Sequence, residues 1–210
     1  MTGMEKETYL ADPCRTSSLP FWKTNSVTVP EGMLILREDD PRLEELSQSH
    51  ADTPYFKLIH PLQRTARPAL PVGYCFITPN EKVLSEHIEA CYPSERASAS
   101  ELASYRLHST YAPDLWLAIQ DMETNAVIAS GIAELDTDIR EGILEWVQVS
   151  PVYRRQGFGR IIVCELLSRL HGRADFVTVS GKENDPSSPR SLYENCGFES
   201  GVIWHVLKKE

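Results

Sequence analysis

The sequence predicts an α/β fold of the α+β kind, with a sheet flanked by helices and an N-terminal extension packed on it. From Gly73 onward, the order is strand, helix, helix, three strands, helix, strand, helix, strand. The turn Glu123-Thr124-Asn125 separates two apolar runs, which predicts a hairpin. Hydrophobic residues make up 41% and charged residues 24% of 210 residues. That balance favours a packed core in one large domain, or in a domain with an appendage.

The pattern divides the chain near residue 72. Pro68 and Pro71 lie in a stretch from 64 to 72 that is typical of a linker. We therefore expect an extension over 1–72, with short strands and one helix, and a main domain over 73–210. The expected elements of the extension are strands at 33–37 and 55–61 and a helix at 40–50, with Asp40 as its N-cap and Pro41 next. Phe21 and Trp22 are large aromatics, so this arm should pack against the body.

The main domain has clearer element boundaries. Pro93-Ser94 should break one helix, Gly172 should close another, and Ser188-Pro189 should open the last one. The expected strands are 74–78, 115–121, 126–136, 143–149, 176–180 and 198–208 (one or two strands), and the expected helices are 80–92, 98–111, 157–171 and 189–196.

Composition excludes several classes of function. The net charge is −9, whereas non-specific nucleic-acid binding needs a basic surface. The five cysteines are widely spaced without any C-x-x-C pair, so neither a metal site nor a redox motif is predicted. The N-terminus does not resemble a signal peptide, and no apolar run approaches the roughly 20 residues of a membrane span. These features predict a cytoplasmic protein with free thiols and no membrane or nucleic-acid partner.

A basic glycine turn, Arg154-Arg155-Gln156-Gly157-Phe158-Gly159, lies between a predicted strand and a predicted helix. A dinucleotide-binding fingerprint needs a third glycine where Ile162 stands, and a P-loop needs Lys-Ser or Lys-Thr, so both of these interpretations fail. Glycines still allow a bulky anion to approach the backbone, and a helix start presents unpaired N–H groups. With Arg160, the turn predicts an anion site, although a plain basic surface loop has the same composition.

The surrounding residues give the turn a family resemblance. The pattern Arg-x-x-Gly-x-Gly follows the strand Glu145-Trp146-Val147-Gln148-Val149, and Leu192-Tyr193-Glu194-Asn195-Cys196-Gly197-Phe198 lies downstream. Over residues 73–210 the sequence resembles the GNAT superfamily of acyl-CoA-dependent N-acyltransferases. The resemblance implies a mixed, mostly antiparallel twisted sheet. It also implies transfer of an acetyl group from acetyl-CoA to a primary amine, by direct attack in a ternary complex and without a metal.

The resemblance also implies site residues. The backbone of Val147 and Val149 would pair with the pantetheine arm of CoA, and Tyr193 would protonate or hydrogen-bond the departing thiolate. Asn184 matches an asparagine that often contacts CoA, but the bend Asp185-Pro186 after it departs from the usual spacing. The residues implied for the diphosphate are Arg154, Arg155, Gln156, Gly157, Phe158, Gly159 and Arg160.

Amine transfer needs a group that accepts a proton. By strand alternation, residues 143, 145, 147 and 149 share one face, and Glu145 is the only carboxylate among them. Glu145 is therefore the candidate base, while a glutamate paired with an arginine, or a water chain in its place, remains open. His87, His108 and Glu134 are weaker candidates.

Two functions remain open at this point. The first is the acetyltransferase; the second is a CoA-binding sensor or partner-binding module without transfer activity. Cys164 and Cys196 lack a neighbouring base, so an acyl-cysteine intermediate is not expected. The sequence does not identify the amine, and it leaves a homodimer open.

Overall fold

The structure is a computed structural model that describes residues 5–63, 67–92, 96–187 and 189–209. Pro93, Ser94 and Ser188, for which helix boundaries were predicted, lie outside these ranges. The helices and strands, in chain order, are α1 (Lys6–Ala11), α2 (Pro13–Thr16), α3 (Phe21–Thr24), β1 (Met33–Arg37), α4 (Leu43–Leu46), β2 (His50–His60), β3 (Tyr74–Ile77), α5 (Glu81–Cys91), α6 (Ala99–Tyr105), β4 (Trp116–Asp121), β5 (Val127–Asp136), β6 (Glu141–Val149), α7 (Phe158–Leu170), β7 (Phe176–Lys182), α8 (Pro189–Glu194) and β8 (Glu199–Lys209).

The predicted fold class is confirmed, because helices and a mostly antiparallel sheet make up the fold. The pairs β1/β8, β2/β8, β3/β4, β4/β5 and β5/β6 are all antiparallel. The chain forms two compact units, one of residues 61–177 and one of residues 1–60 and 178–210. These divisions do not coincide with the boundary expected near residue 72.

In the unit of residues 61–177, the strands are ordered β6-β5-β4-β3. Helix α7 covers one face so closely that a Cβ on Gly131 would lie 2.7 Å from Ile162. Helices α5 and α6 cover the other face. The apolar cluster beneath them consists of Leu84, Ile88, Ala97, Leu102, Trp116 and Ile132. The start of α5 follows the sequence, because Asn80 accepts from the N–H of Val83.

In the other unit, β2 lies between β8 and β7, and β1 lies on the far side of β8. The N-terminal segment therefore contributes strands as well as packing. Its arm is held by Lys57, which is 1% exposed and donates from Nζ to the carbonyls of Pro13, Ser17 and Leu19 at 2.7, 3.0 and 2.9 Å. The arm is packed at Tyr9, which is fully buried, whereas Phe21 and Trp22, on which the expectation rested, are only partly buried.

Two predicted elements of the extension have the wrong length. The helix expected over 40–50 is shortened to α4. Its N-cap is Arg42, and Asp40, the expected N-cap, accepts a hydrogen bond from the side chain of Arg42. The strand expected over 55–61 begins earlier, at His50, because its pairing with β8 continues as far as the pair His50–Lys209. Pairing with β8 takes up only His50 of the predicted helix, and residues 47–49 before it form a turn.

Candidate functional site

Strand β6 contains a bulge at Trp146. Ser130 pairs with Gln148 and Ile132 pairs with Glu145, so β6 has one residue more than β5 between these pairs. Trp146 has a φ of 48°, which is rare for a bulky side chain. The bulge ends the regular alternation of side chains along the strand.

The predicted shared face of residues 143, 145, 147 and 149 is therefore wrong. Glu145 pairs with Ile132, whose side chain lies in the cluster beneath α5 and α6. Val147 lies on the α7 face, since its side chain is 3.5 Å from the Cβ position of Gly131. Glu145 is thus directed toward α5 and α6, while Val147 and Val149 are directed toward α7.

Past the bulge, one edge of β6 faces away from β5. Ser150 donates its N–H to the carbonyl of Ile128 at 2.8 Å, so Gln148 and Ser150 direct their backbone groups toward β5. Val147 and Val149 direct theirs to the opposite edge. On this outward edge, the Val147 carbonyl accepts from the Tyr92 hydroxyl at 3.0 Å and the Val149 carbonyl from Arg154 Nε at 3.1 Å.

The basic turn leads directly into α7. Arg155 and Gly157 both have positive φ, 63° and 92°, and Gly157 is the N-cap. No side chain caps the 13-residue helix, so its first N–H groups and the positive end of its dipole face outward. Phe158 is buried and fixes the turn through its ring contact with Tyr74, at a centroid distance of 4.9 Å.

The arginines of the turn differ in their contacts. Arg154 donates from Nη2 to the carbonyl of Cys91 at 3.1 Å, in addition to its bond with Val149, so its guanidinium holds backbone. Arg155 and Arg160 are exposed, and neither makes an ion pair with any residue that the structure describes. Gln156 donates to the carbonyl of Val152. All three arginines add positive charge at the helix start, and Arg155 and Arg160 have guanidinium donors to offer a ligand there.

The surroundings of Glu145 are aromatic. Tyr105 accepts a hydrogen bond from Trp146 Nε1 at 3.3 Å. Burial, and then the charge of Glu145, raises the pKa of Tyr105 above its ordinary value of 10.0, so this phenol stays protonated. Glu145 itself is half-buried.

A second carboxylate lies on the same face of the sheet. Glu134 is 1% exposed, and its Oε1 lies 3.2 Å from His108 Nδ1 and 3.1 Å from the Thr110 hydroxyl, which donates to it. His108 is partly exposed. Glu134 and His108 were two of the weaker candidates in the sequence, and the fold brings them to the face that carries Glu145.

His87, the remaining candidate, is buried between two serine hydroxyls, which indicates a structural role. It is 6% exposed, with Nδ1 2.8 Å from the Ser130 hydroxyl and Nε2 3.0 Å from the Ser150 hydroxyl. Burial lowers the pKa of His87 from 6.5 to about 4. A neutral imidazole that bridges the hydroxyl of Ser130 in β5 and that of Ser150, just after β6, is well suited to join α5 to the sheet.

Comparison with known proteins gives the family. Residues 112–200, which contain the bulged strand, the basic turn and α7, match the model described as "Acetyltransferase (GNAT) domain". Residues 112–200 belong to the GNAT superfamily. No curated protein matches the chain by sequence.

Solved structures agree with the GNAT fold. A GCN5-related N-acetyltransferase from Sphaerobacter thermophilus has a TM-score of 0.69 at 16% identity, covering 90% of this chain and 65% of that one. A putative GNAT-family acetyltransferase from Novosphingobium aromaticivorans has a TM-score of 0.55 at 13% identity, covering 88% and 70%. The ribosomal-protein-S18-alanine N-acetyltransferase from Escherichia coli has a TM-score of 0.51 at 16% identity, covering 65% and 95%. This chain thus spans slightly less than two thirds of the length of the first of these structures.

Two expected GNAT site residues, Tyr193 and Asn184, lie in the unit of residues 1–60 and 178–210. Tyr193 lies one residue before the end of α8, is 6% exposed and makes ring contacts with Phe56 and Phe198, at centroid distances of 6.1 and 5.6 Å. Asn184 is exposed in the turn after β7. Their roles remain predictions.

Sequence reasoning missed Tyr92 and Tyr105. Both are tyrosines on apolar helical stripes, a pattern that is typical of core residues, and only the fold brings their hydroxyls to the bulge. Among the described residues, no group of side chains could hold a metal ion, and no helix has the length and apolar character to cross a membrane.

Proposed function

We propose that the protein is an N-acetyltransferase that moves an acetyl group from acetyl-CoA to a primary amine by direct attack in a ternary complex. The observation that carries the proposal is the bulged outward edge of β6, followed at once by the uncapped start of α7, within a GNAT domain. A strand edge suits an extended amide-containing arm, and a helix start suits a diphosphate.

The diphosphate would bind at the start of α7. Its oxygens would accept from the N–H groups of Gly157, Phe158, Gly159 and Arg160, and Arg155 and Arg160 would add charge-assisted contacts. Gly157 supports this proposal, because it has a φ of 92° and no atom lies within 4 Å of the position of a Cβ. Arg154 and Gln156 would act by holding the backbone of the turn.

The chemistry needs three functions. A backbone N–H of the outward edge would polarise the thioester carbonyl as the amine nitrogen attacks its carbon. Glu145, or a water molecule, would accept the proton that the amine loses. The C–S bond then breaks, and Tyr193 would give a proton to the thiolate, since a phenol with a pKa near 10 is well matched to such a leaving group.

The primary experiment measures free thiol release from acetyl-CoA with a panel of primary amines. Turnover with at least one amine is expected. Calorimetric CoA binding without turnover on any amine would instead favour the sensor function, and absence of CoA binding would refute both.

Two variants test the assigned roles. Gly157→Asp should abolish CoA binding, because an anionic side chain would repel the diphosphate at a position of positive φ. Tyr193→Phe should lower turnover and leave CoA binding nearly unchanged. A Gly157→Asp protein that binds CoA as well as the wild type would contradict the diphosphate assignment.

We further propose that the protein acts in the cytoplasm. The five cysteines are free thiols, which fits a reducing compartment. The net charge of −9 disfavours a nucleic-acid partner. Sedimentation measurements of the molecular mass would distinguish a homodimer from a monomer.

A further inference from the structure

Tyrosine hydroxyls from the α5 and α6 region hold two successive residues of the β6 bulge. Tyr105 accepts from the indole N–H of Trp146 at 3.3 Å, and Tyr92 donates to the carbonyl of Val147 at 3.0 Å. Both tyrosines pack against the apolar cluster beneath the two helices, so the core fixes their positions.

The bulge needs such support. A tryptophan at a φ of 48° costs on the order of 1–3 kcal/mol and persists only where its surroundings stabilise it. The carbonyl of Val147 belongs to the second peptide group after this strained residue, the one that joins Val147 to Gln148. Its direction decides how the outward edge is presented, and in this structure the Tyr92 hydroxyl is bonded to it.

We propose that Tyr92 is a positioning residue for the pantetheine arm of acyl-CoA, a proposal that rests on the proposed function. By holding the Val147 carbonyl, Tyr92 fixes the orientation of the peptide group that borders the arm. Arg154 holds the next outward carbonyl, that of Val149, in the same way. Because both carbonyls already accept side-chain donors, the edge offers mainly N–H donors, which suit the carbonyl oxygens of an acylated pantetheine.

The test is the variant Tyr92→Phe, which keeps the ring and removes the hydroxyl. Calorimetry would compare two probes, CoA and 3′-phosphoadenosine 5′-diphosphate, which is the nucleotide part of CoA without the arm. The Kd for CoA should rise about fivefold, the equivalent of one hydrogen bond, whereas the Kd for the nucleotide should stay constant.

Tyr111→Phe is the matched control. Tyr111 packs in the same aromatic cluster, with its ring 5.6 Å from that of Trp116, and the described hydrogen bonds to β6 do not include it. It should leave both Kd values unchanged. Tyr105→Phe, which removes the partner of Trp146, should reproduce the selective loss of CoA affinity and serves as the second variant if Tyr92→Phe does not fold.

Three results would overturn the proposal. They are an unchanged Kd for CoA in Tyr92→Phe, tighter CoA binding, which would make the hydroxyl a competitor of the arm, and equal weakening of both probes, which would indicate a general structural role. Absence of CoA binding by the wild type would refute the proposed function itself and is thereby distinguished from all three.

Discussion

The buried His87 should make the protein less stable in acid. Its pKa is about 4 in the folded chain against 6.5 for an exposed histidine, with burial as the cause. Above about pH 6.5, both states are neutral and the folded state bears no penalty. Between those two pKa values, the unfolded chain binds a proton that the folded chain excludes, so acid favours unfolding. Lowering the pH from about 7 to about 5 should cost about 2 kcal/mol, since each pKa unit corresponds to about 1.4 kcal/mol.

The assay is urea unfolding at both pH values for the wild type and for His87→Gln. A glutamine can still bridge the hydroxyls of Ser130 and Ser150 but does not titrate. The variant should therefore lose about 2 kcal/mol less stability between the two pH values than the wild type does. The matched control, His171→Gln, changes an exposed histidine and should keep the wild-type difference. If His87→Gln also keeps that difference, the buried imidazole is not the source of the acid sensitivity.

Two further predictions concern buried charges. Lys57→Met should lower the free energy of unfolding by about 3 kcal/mol, because the three arm carbonyls lose their common donor, and limited proteolysis should cut the arm faster; an uncut arm would contradict this role. Glu165→Gln should cost about 2 kcal/mol in urea unfolding, since the 3% exposed carboxylate binds Arg67 and Arg169. Burial alone would raise the pKa of Glu165, but the two arginines lower it. The contribution of Glu165 to the free energy of unfolding should therefore disappear as the pH falls through that lowered pKa. A difference between wild type and Glu165→Gln that stays constant in acid would refute the assignment.

Local patterns predicted the elements whose signals lie within a few residues. Strand β1 has the expected bounds, and α5 and α6 begin within one residue of the expected positions, where the structure shows Asn80 and Ser98 as N-caps. The glycine turn could be predicted because the N-cap of α7 has a positive φ, which glycine adopts readily, and Gly157 stands at that position. These features depend on backbone conformation and on hydrogen bonds between residues a few positions apart, so the residues that determine them are neighbours in the sequence.

The features that shape the candidate site were not local. The bulge at Trp146 lies in a run of ordinary strand formers without glycine, and contacts from Tyr92 and Tyr105, more than 40 positions away, stabilise it. Simple alternation therefore put Glu145 and Val147 on one face, whereas the extra residue separates them. An insertion that tertiary contacts stabilise cannot be detected in the periodicity of the strand itself.

The place of β2 between β8 and β7 has a consequence for biosynthesis. Asp52 pairs with Leu207, about 155 positions later, so a ribosome needs on the order of ten seconds to make the partner after β2 has emerged. During that interval, the nascent chain carries a long strand with both edges unpaired, which is a state that chaperones recognise and that favours association between chains. A fragment trimmed to residues 112–200 would have the converse defect. It would contain β7 but lack its neighbour β2, so an edge of β7 would be unpaired. We expect this fragment to aggregate even though it contains the whole acetyltransferase match.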